Sequence, residues 1–278
     1  MKTKYDTKVG RAKKTGFTVI ELLIAMLIAA IVTSAALGIY ITQHKQLMVQ
    51  DQISDMQANV RAAAAELSSK IRMAGYNVPD GLSPLEAHNA NPDTIIVTFD
   101  GGGLEDVTIE HAMPQPSAEL RCDGHDISGL HDNDWVFIWD PFIQYGEFFL
   151  VTQVQVASAH IQHNTMPLSR VYPAGSMVIM MNQFKYYIDS SDPDHPNLIM
   201  WTPQTGAQVY AENITDLNFR YILSSGATVD EPPIADMVRE VIIEIDGRTD
   251  SPDDEFVTDY RTRTLDTRVK VRNLGMGS

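Results

Sequence analysis

The sequence predicts an α+β protein in which one long amino-terminal helix packs on a mainly antiparallel β-sheet domain. Three observations predict it. Residues 17–41 form a 25-residue apolar stretch whose only charge is Glu21. Between residues 53 and 74, apolar residues recur at three- and four-residue steps, the period of one helix face. Beyond residue 77 the chain breaks into short β-like runs between turn residues, with no apolar period long enough for another helix.

A helix of 25 residues rises about 37 Å, enough to cross the roughly 30 Å hydrocarbon core of a bilayer with some tilt. Lys2, Lys4, Lys8, Arg11, Lys13 and Lys14 precede it against Asp6, and Lys45 is the only Lys or Arg between it and Arg61. The positive-inside rule then puts the amino terminus in the cytoplasm and the bulk of the chain outside it. Past residue 41 the sequence turns polar but keeps its period, with Ile53, Met56, Val60, Ala63 or Ala64, Leu67, Ile71 and Ala74 on one stripe. Ala62 to Ala65, Glu66, Leu67, Lys70 and Arg72 are good helix formers, and Gly75 followed by Pro79 supplies a stop. Residues 17–74 therefore read as one helix of 58 residues, with 17–41 in a membrane or filament core and 42–76 amphipathic. The stripe also suits a coiled-coil heptad, but its short run before Gly75 favours docking on a sheet. Gly38 lowers helix stability by about 1 kcal/mol relative to alanine, which leaves room for local melting.

For the region 77–278, strands are expected at 94–99, 135–139, 148–156, 177–181, 184–188, 217–222, 238–245 and 260–271, where β-branched and aromatic residues gather. Within 148–156, Val151, Gln153 and Gln155 alternate with Thr152, Val154 and Val156, predicting two opposite faces. Gly101-Gly102-Gly103, Asp123-Gly124, Asp192-Pro193, Pro232-Pro233 and Ser251-Pro252 punctuate the runs. Without crossover helices the pairing must be mainly antiparallel.

Charge narrows the function. The 278 residues hold 36 acidic and 21 basic side chains, a formal net charge of −15. The first sixteen carry +5 of that sum, leaving −20 for the other 262. A nucleic-acid binder draws its affinity from Lys and Arg against phosphate, so the bulk of this chain is not one. A single cysteine, Cys122, excludes an intrachain disulfide and a cysteine-based zinc cluster.

Glu21 decides how the apolar segment is read. A cleaved secretory signal has a shorter, uniformly apolar region, although Thr33-Ser34-Ala35-Ala36 could pass for its cleavage site. A plain anchor accounts for length and orientation but has no use for a carboxylate, which costs roughly 2.5–3.5 kcal/mol at the centre of a span. A carboxylate with no partner in its own segment implies an external one. The run Lys13-Lys14-Thr15-Gly16-Phe17-Thr18-Val19-Ile20-Glu21-Leu22-Leu23-Ile24-Ala25-Met26 resembles the class III signal of type IV pilins and type II secretion pseudopilins. The resemblance implies a pilin-like fold, cleavage by a prepilin peptidase after Gly16, and N-methylation of the new terminus at Phe17. Residues 1–16 are then a leader peptide. In a filament, Glu21 would pair with the Phe17 ammonium group of a neighbouring subunit and so favour axial register, a role that is not catalytic.

Later blocks extend the likeness. Residues 59–76, ending Arg72-Met73-Ala74-Gly75-Tyr76, look like the close of the helix in PilW-type minor pilins. Tyr186-Tyr187-Ile188-Asp189, residues 212–221, Val238-Arg239-Glu240-Val241 and residues 264–273 resemble that family's strands in order. The resemblance implies a minor pilin precursor of the bacterial inner membrane, with a periplasmic globular domain, that joins a type IV pilus and primes assembly or sits near the tip. Its implied partners are the prepilin peptidase, other minor pilins, the major pilin, the assembly platform and the membrane. A J-type pseudopilin of a type II secretion system and a membrane-anchored periplasmic binding protein are the alternatives. Region 77–176 carries no likeness, and any binding specificity is expected there.

Other chemistry is weakly signalled, and the residues suggest no enzyme and no cofactor. The chain lacks Gly-x-Ser-x-Gly, P-loop and His-Glu-x-x-His patterns. His125 and His131 beside Asp126 and Asp132, and His160 with His163, are candidate transition-metal ligands by residue type, but loop or strand geometry separates such side chains. Asp189, Asp192 and Asp194, or Asp250, Asp253, Asp254 and Glu255, have oxygen ligands suited to calcium, yet neither follows the EF-hand pattern, so no metal site is expected. Cys122 reads as a free thiol or a filament contact. Trp135, Phe137, Trp139, Phe142, Tyr145, Phe148 and Phe149 read as core.

Overall fold

The computed structural model describes residues 16–253, 256 and 259–274, so the basic leader up to residue 15, Asp254 and Glu255 lie outside the described residues. The chain divides into two compact units, Met1–Asp51 and Gln52–Ser278. Among the described residues there is one α-helix, α1, which runs Val19–Met73. It passes through Gly38, whose carbonyl accepts a hydrogen bond from Thr42 Oγ1 at 3.0 Å. In the first unit every residue from 17 to 48 is exposed.

In the second unit the predicted stripe is buried from Met56 on, through Val60, Ala63, Ala64, Leu67, Ile71 and Ala74, while its first member, Ile53, is half-buried. Gly75 ends α1 with a φ of +80°, which a glycine adopts without the Cβ penalty. Its amide leaves the helix and donates to the Thr98 carbonyl at 3.1 Å. Asn273 closes the end, donating from Nδ2 to the Met73 and Ala74 carbonyls at 3.3 and 3.5 Å. Those are two of the carbonyls that a helix terminus leaves without partners.

The strands begin with β1 (Leu85–His88) and β2 (Thr94–Asp100). Six short ones follow: β3 (Leu120–Arg121), β4 (Trp135–Asp140), β5 (Tyr145–Leu150), β6 (Gln153–Gln155), β7 (His160–Gln162) and β8 (Met177–Ile179). Then come β9 (Met181–Asp189), β10 (Asn197–Thr202), β11 (Gly206–Glu212), β12 (Ile214–Leu223), β13 (Thr228–Val229), β14 (Val238–Arg248) and β15 (Thr262–Lys270). They build a five-stranded sheet in the order β1-β2-β9-β10-β11 and a four-stranded one in the order β13-β12-β14-β15. The short strands build two three-stranded sheets, β5-β4-β8 and β3-β7-β6. All pairings among these named strands are antiparallel.

The buried stripe of α1 shares one core with the two larger sheets, including Ile95, Tyr186, Leu198, Phe219, Ile243 and Val269. The helix lies close against β14, where a Cβ on Gly247 would come within 2.4 Å of Val60 Cγ2. Polar contacts fix the helix rotation. Tyr186 donates its hydroxyl to Glu66 Oε1 at 2.8 Å, and Lys70 Nζ lies 4.0 Å from the centre of the Phe184 ring. The buried Asp93 joins the sheets: its Oδ2 accepts the Phe219 amide and its own amide donates to the Leu217 carbonyl, both at 2.8 Å.

Strands β2 and β9 pair directly, with Asp100 opposite Met181. Residues 101–180 thus leave and rejoin the larger sheet at adjacent points. Their own core includes Ile109, Leu120, Cys122, Ile138, Phe149, Ile161 and Tyr172. A small cluster joins them to the rest: Phe137, Trp139, Ile179 and Met181, with Val78 and Leu82 packed against it.

The expected strand over 148–156 is corrected to two, β5 and β6, which belong to different sheets. Val151 turns inward between them and exchanges main-chain hydrogen bonds with Asn133 and Asp134 at 2.9 Å. Val151 is buried while Gln153 is exposed, so the two do not share the predicted face. The aromatic group is only partly core. Phe137, Trp139 and Phe149 are buried, whereas Phe142 is 77% and Tyr145 41% exposed at the β4–β5 turn.

Candidate functional site

The sequence-predicted processing and registry residues lie at the start of α1. Gly16 and Phe17 precede the helix, and both are exposed. A Cβ at Gly16 would meet no atom within 4 Å, so packing in the fold does not require a glycine there. Thr18 is the N-cap. Its carbonyl accepts the first helical bond, from the Leu22 amide at 3.2 Å.

Glu21 sits three residues into the helix and bonds reciprocally with Thr18. Its Oε2 accepts the Thr18 main-chain amide at 2.8 Å and the Thr18 hydroxyl at 2.9 Å. Thr18 Oγ1 in turn accepts the Glu21 amide at 3.3 Å. This is a capping box, in which the two side chains satisfy amides that the helix start leaves free. The expectation that Glu21 has no partner in its own segment is thereby corrected. Sequence reasoning missed Thr18, although Thr18-Val19-Ile20-Glu21 carries the spacing that marks such a box. Both bonds fall on Oε2, so Oε1 keeps its capacity for a cation.

The segment beyond this cap is apolar on every face. An 18-residue window of α1 reaches a mean hydropathy of 2.6, and none of it is buried. Phe17 is 86%, Ile20 69% and Leu27 63% exposed. The helix is long and apolar enough to cross a membrane.

The candidate metal-ligating residues go to separate partners. His125 Nε2 lies 2.9 Å from Glu110 Oε1 and 3.1 Å from Thr108 Oγ1, whereas His131 Nδ1 lies 3.6 Å from Asp134. The His125 hydrogen bond, then that of Thr108, holds the Glu110 carboxyl below the usual range. His160 faces Asp123 at 3.2 Å and Glu119 at 3.4 Å, and the buried His163 bonds the Ala118 and Met166 carbonyls. Asp189 caps a turn by accepting the Ser191 amide, a bond that holds its carboxyl below the usual range, and Asp192 accepts the Asp194 amide at 3.0 Å. Asp250 bonds Asn213 Nδ2 at 3.2 Å and faces His195 at 3.4 Å. Among the described residues no three His, Cys, Asp or Glu side chains converge as metal ligands. Cys122 is fully buried in the core of residues 101–180, which removes the filament-contact reading.

Residues 11–37 match the prokaryotic N-terminal methylation motif, a stretch that contains Gly16, Phe17, Thr18 and Glu21. No curated protein and no solved structure matches the chain. The motif supports a precursor of the type IV pilin or pseudopilin kind, membrane-anchored through α1 and processed by a prepilin peptidase.

Proposed function

We propose that the chain is a minor pilin precursor of the PilW type. A prepilin peptidase cuts between Gly16 and Phe17, methylates the Phe17 nitrogen and releases the +5 leader. The 17–41 segment then holds the protein in the inner membrane, with residues 77–278 on the periplasmic side as a globular domain. From there it enters a type IV pilus with other minor pilins and the major pilin, near the tip or in the priming complex.

The observation that carries this reading is the methylation motif over 11–37, which holds the processing residues and runs into a helix whose first half is entirely exposed. An apolar surface that size is stable only in lipid or against other helices. Glu21 fits the second setting. Its carboxylate is held in place by Thr18 and retains one oxygen for a neighbour's Phe17 ammonium, the pairing that lowers the cost of a buried charge. The blocks of PilW likeness, at the end of α1 and in β9, β12, β14 and β15, contribute to one core. Residues 101–180 have a separate one.

Mass spectrometry of the protein from its native host tests the reading. The expected amino terminus is N-methylated Phe17, and a chain that still starts at Met1 overturns it. Sheared pilus fractions then separate pilus from secretion system. The protein is expected in them, and its absence from pili but retention in a secretion complex would favour the J-type pseudopilin.

A further inference from the structure

A cleft of about 300 Å³ opens where residues 101–180 leave and rejoin the larger sheet. Gly101 follows β2, Asn133, Asp134 and Trp135 lead into β4, Asn182 is the second residue of β9, and Gln204 sits in the β10–β11 turn. The walls are firmly set. The Gly101 amide donates to the Met180 carbonyl at 2.7 Å, and the Asn133 amide to that of Val151 at 2.9 Å. Asn182 lies so close over Gly101 that a Cβ there would sit 2.6 Å from Asn182 Nδ2. Asn133 is held at a φ of +74°, a conformation that non-glycine residues adopt at some cost and that recurs at ligand sites.

The polar groups in these walls are unspent. Among the described residues, the side chains of Asn133, Asn182 and Gln204 and the Trp135 indole N–H make no hydrogen bond within the protein, and no aromatic ring stacks on Trp135. Three carboxamides and an indole offer up to seven N–H donors and three carbonyl acceptors. No Lys, Arg or His lines the cleft. An anionic ligand would therefore meet the Asp134 carboxylate, while His131, whose Nδ1 lies 3.6 Å from that carboxylate, is outside the lining. A metal ion would find one carboxylate whose Oδ2 already accepts the His131 amide at 2.7 Å. An apolar ligand would strip water from the amides and leave them unpaired, at a cost for each one.

A ligand that fits has no charge, many hydroxyl groups around its rim and one apolar C–H face for the indole. We propose that this cleft binds one pyranose ring of a neutral saccharide. The amides of Asn133, Asn182 and Gln204 and the Asp134 carboxylate bond its hydroxyls, and Trp135 covers its C–H face, whose partial positive charge suits an aromatic π surface. The cleft volume is at the lower end of the roughly 300–1,000 Å³ typical of small-molecule sites, room for one ring rather than a long chain. Entry into a filament is not required for this binding.

The test uses the full chain in lauryldimethylamine oxide micelles, a detergent without a sugar headgroup. Saturation-transfer NMR and calorimetry are run with the methyl glycosides of glucose, galactose and mannose and with N-acetylglucosamine. At least one is expected to bind saturably, with a Kd of about 1 mM. The Asn182→Ala/Gln204→Ala double variant should weaken it about tenfold, with unchanged circular dichroism and melting. If that pair melts early, Gln204→Ala alone, in an exposed turn, should still weaken binding about threefold. Failure of all four sugars to saturate by about 100 mM overturns the proposal. So does unchanged affinity in a folded variant, or tighter binding of the 6-phosphate of the same sugar.

Discussion

Cys122 shows how burial resets the chemistry of a single side chain. Desolvation, reinforced by the charges of Asp123 and Glu110, pushes its thiol up to about 12. The reactive species is the thiolate, so the folded chain at pH 8 should react with a disulfide reagent about a thousandfold more slowly than a free cysteine. Raising the pH to 9.5 should leave that ratio large, because the folded thiol stays protonated until pH nears its raised pKa. Urea should restore full reactivity as residues 101–180 open. Colorimetric thiol titration reads this, and fast labelling of the native protein would contradict the buried position. The sequence announced one free cysteine but not its surroundings, since Ala159, Leu120 and Ile161 reach it only through the pairing of β3 with β7. The cap at Thr18 was different: its spacing was visible in the sequence. The same locality explains why the saccharide cleft was not, because its walls come from stretches around residues 101, 134, 182 and 204 that no sequence period links.

The body-facing half of α1 was legible almost residue by residue, because a helix exposes its period in sequence and the stripe is the only apolar face it has. The strands of nine or more residues, β9, β12, β14 and β15, were also found, as was the seven-residue β2. Those missed are short, such as β3 and β7, or polar outward, such as β11, whose exposed Val209 and Tyr210 break the usual alternation. Prediction at this scale concerns the stripe. Leu67 is fully buried in the main core, so Leu67→Ala should lower the stability of the folded chain by about 2–5 kcal/mol. Ser69→Ala, two residues on and exposed, should change it by less than about 0.5 kcal/mol. Urea denaturation of the full chain in micelles compares the two. Equal effects would mean that α1 does not anchor the core through this face.

For the whole molecule, the pairing of β2 with β9 makes the strongest demand. Asp100 and Met181 stand opposite each other, so a two-residue Asn-Gly turn in place of residues 101–180 joins them in the register they already have. The main core takes no residue from that stretch, and the buried stripe of α1 packs only on strands outside it. Asp100 loses the Gly102 amide but keeps the Asn77 side chain, which donates to its Oδ2 at 2.6 Å. The clear cost is at the joining cluster, where Met181, Val78 and Leu82 lose the cover of Phe137, Trp139 and Ile179. Exposing a few apolar side chains costs of the order of 1–3 kcal/mol each, well below what a core of this size provides. The shortened chain is therefore expected to fold in micelles with a cooperative, lower melting transition and to keep Leu67 protected from hydrogen exchange. It should also lose saccharide binding, because Asn133, Asp134 and Trp135 go with the deleted residues, while Phe17 methylation in the native host continues. If the shortened chain collapses into an aggregate instead, residues 101–180 are not an insertion on a finished fold but part of what holds it together.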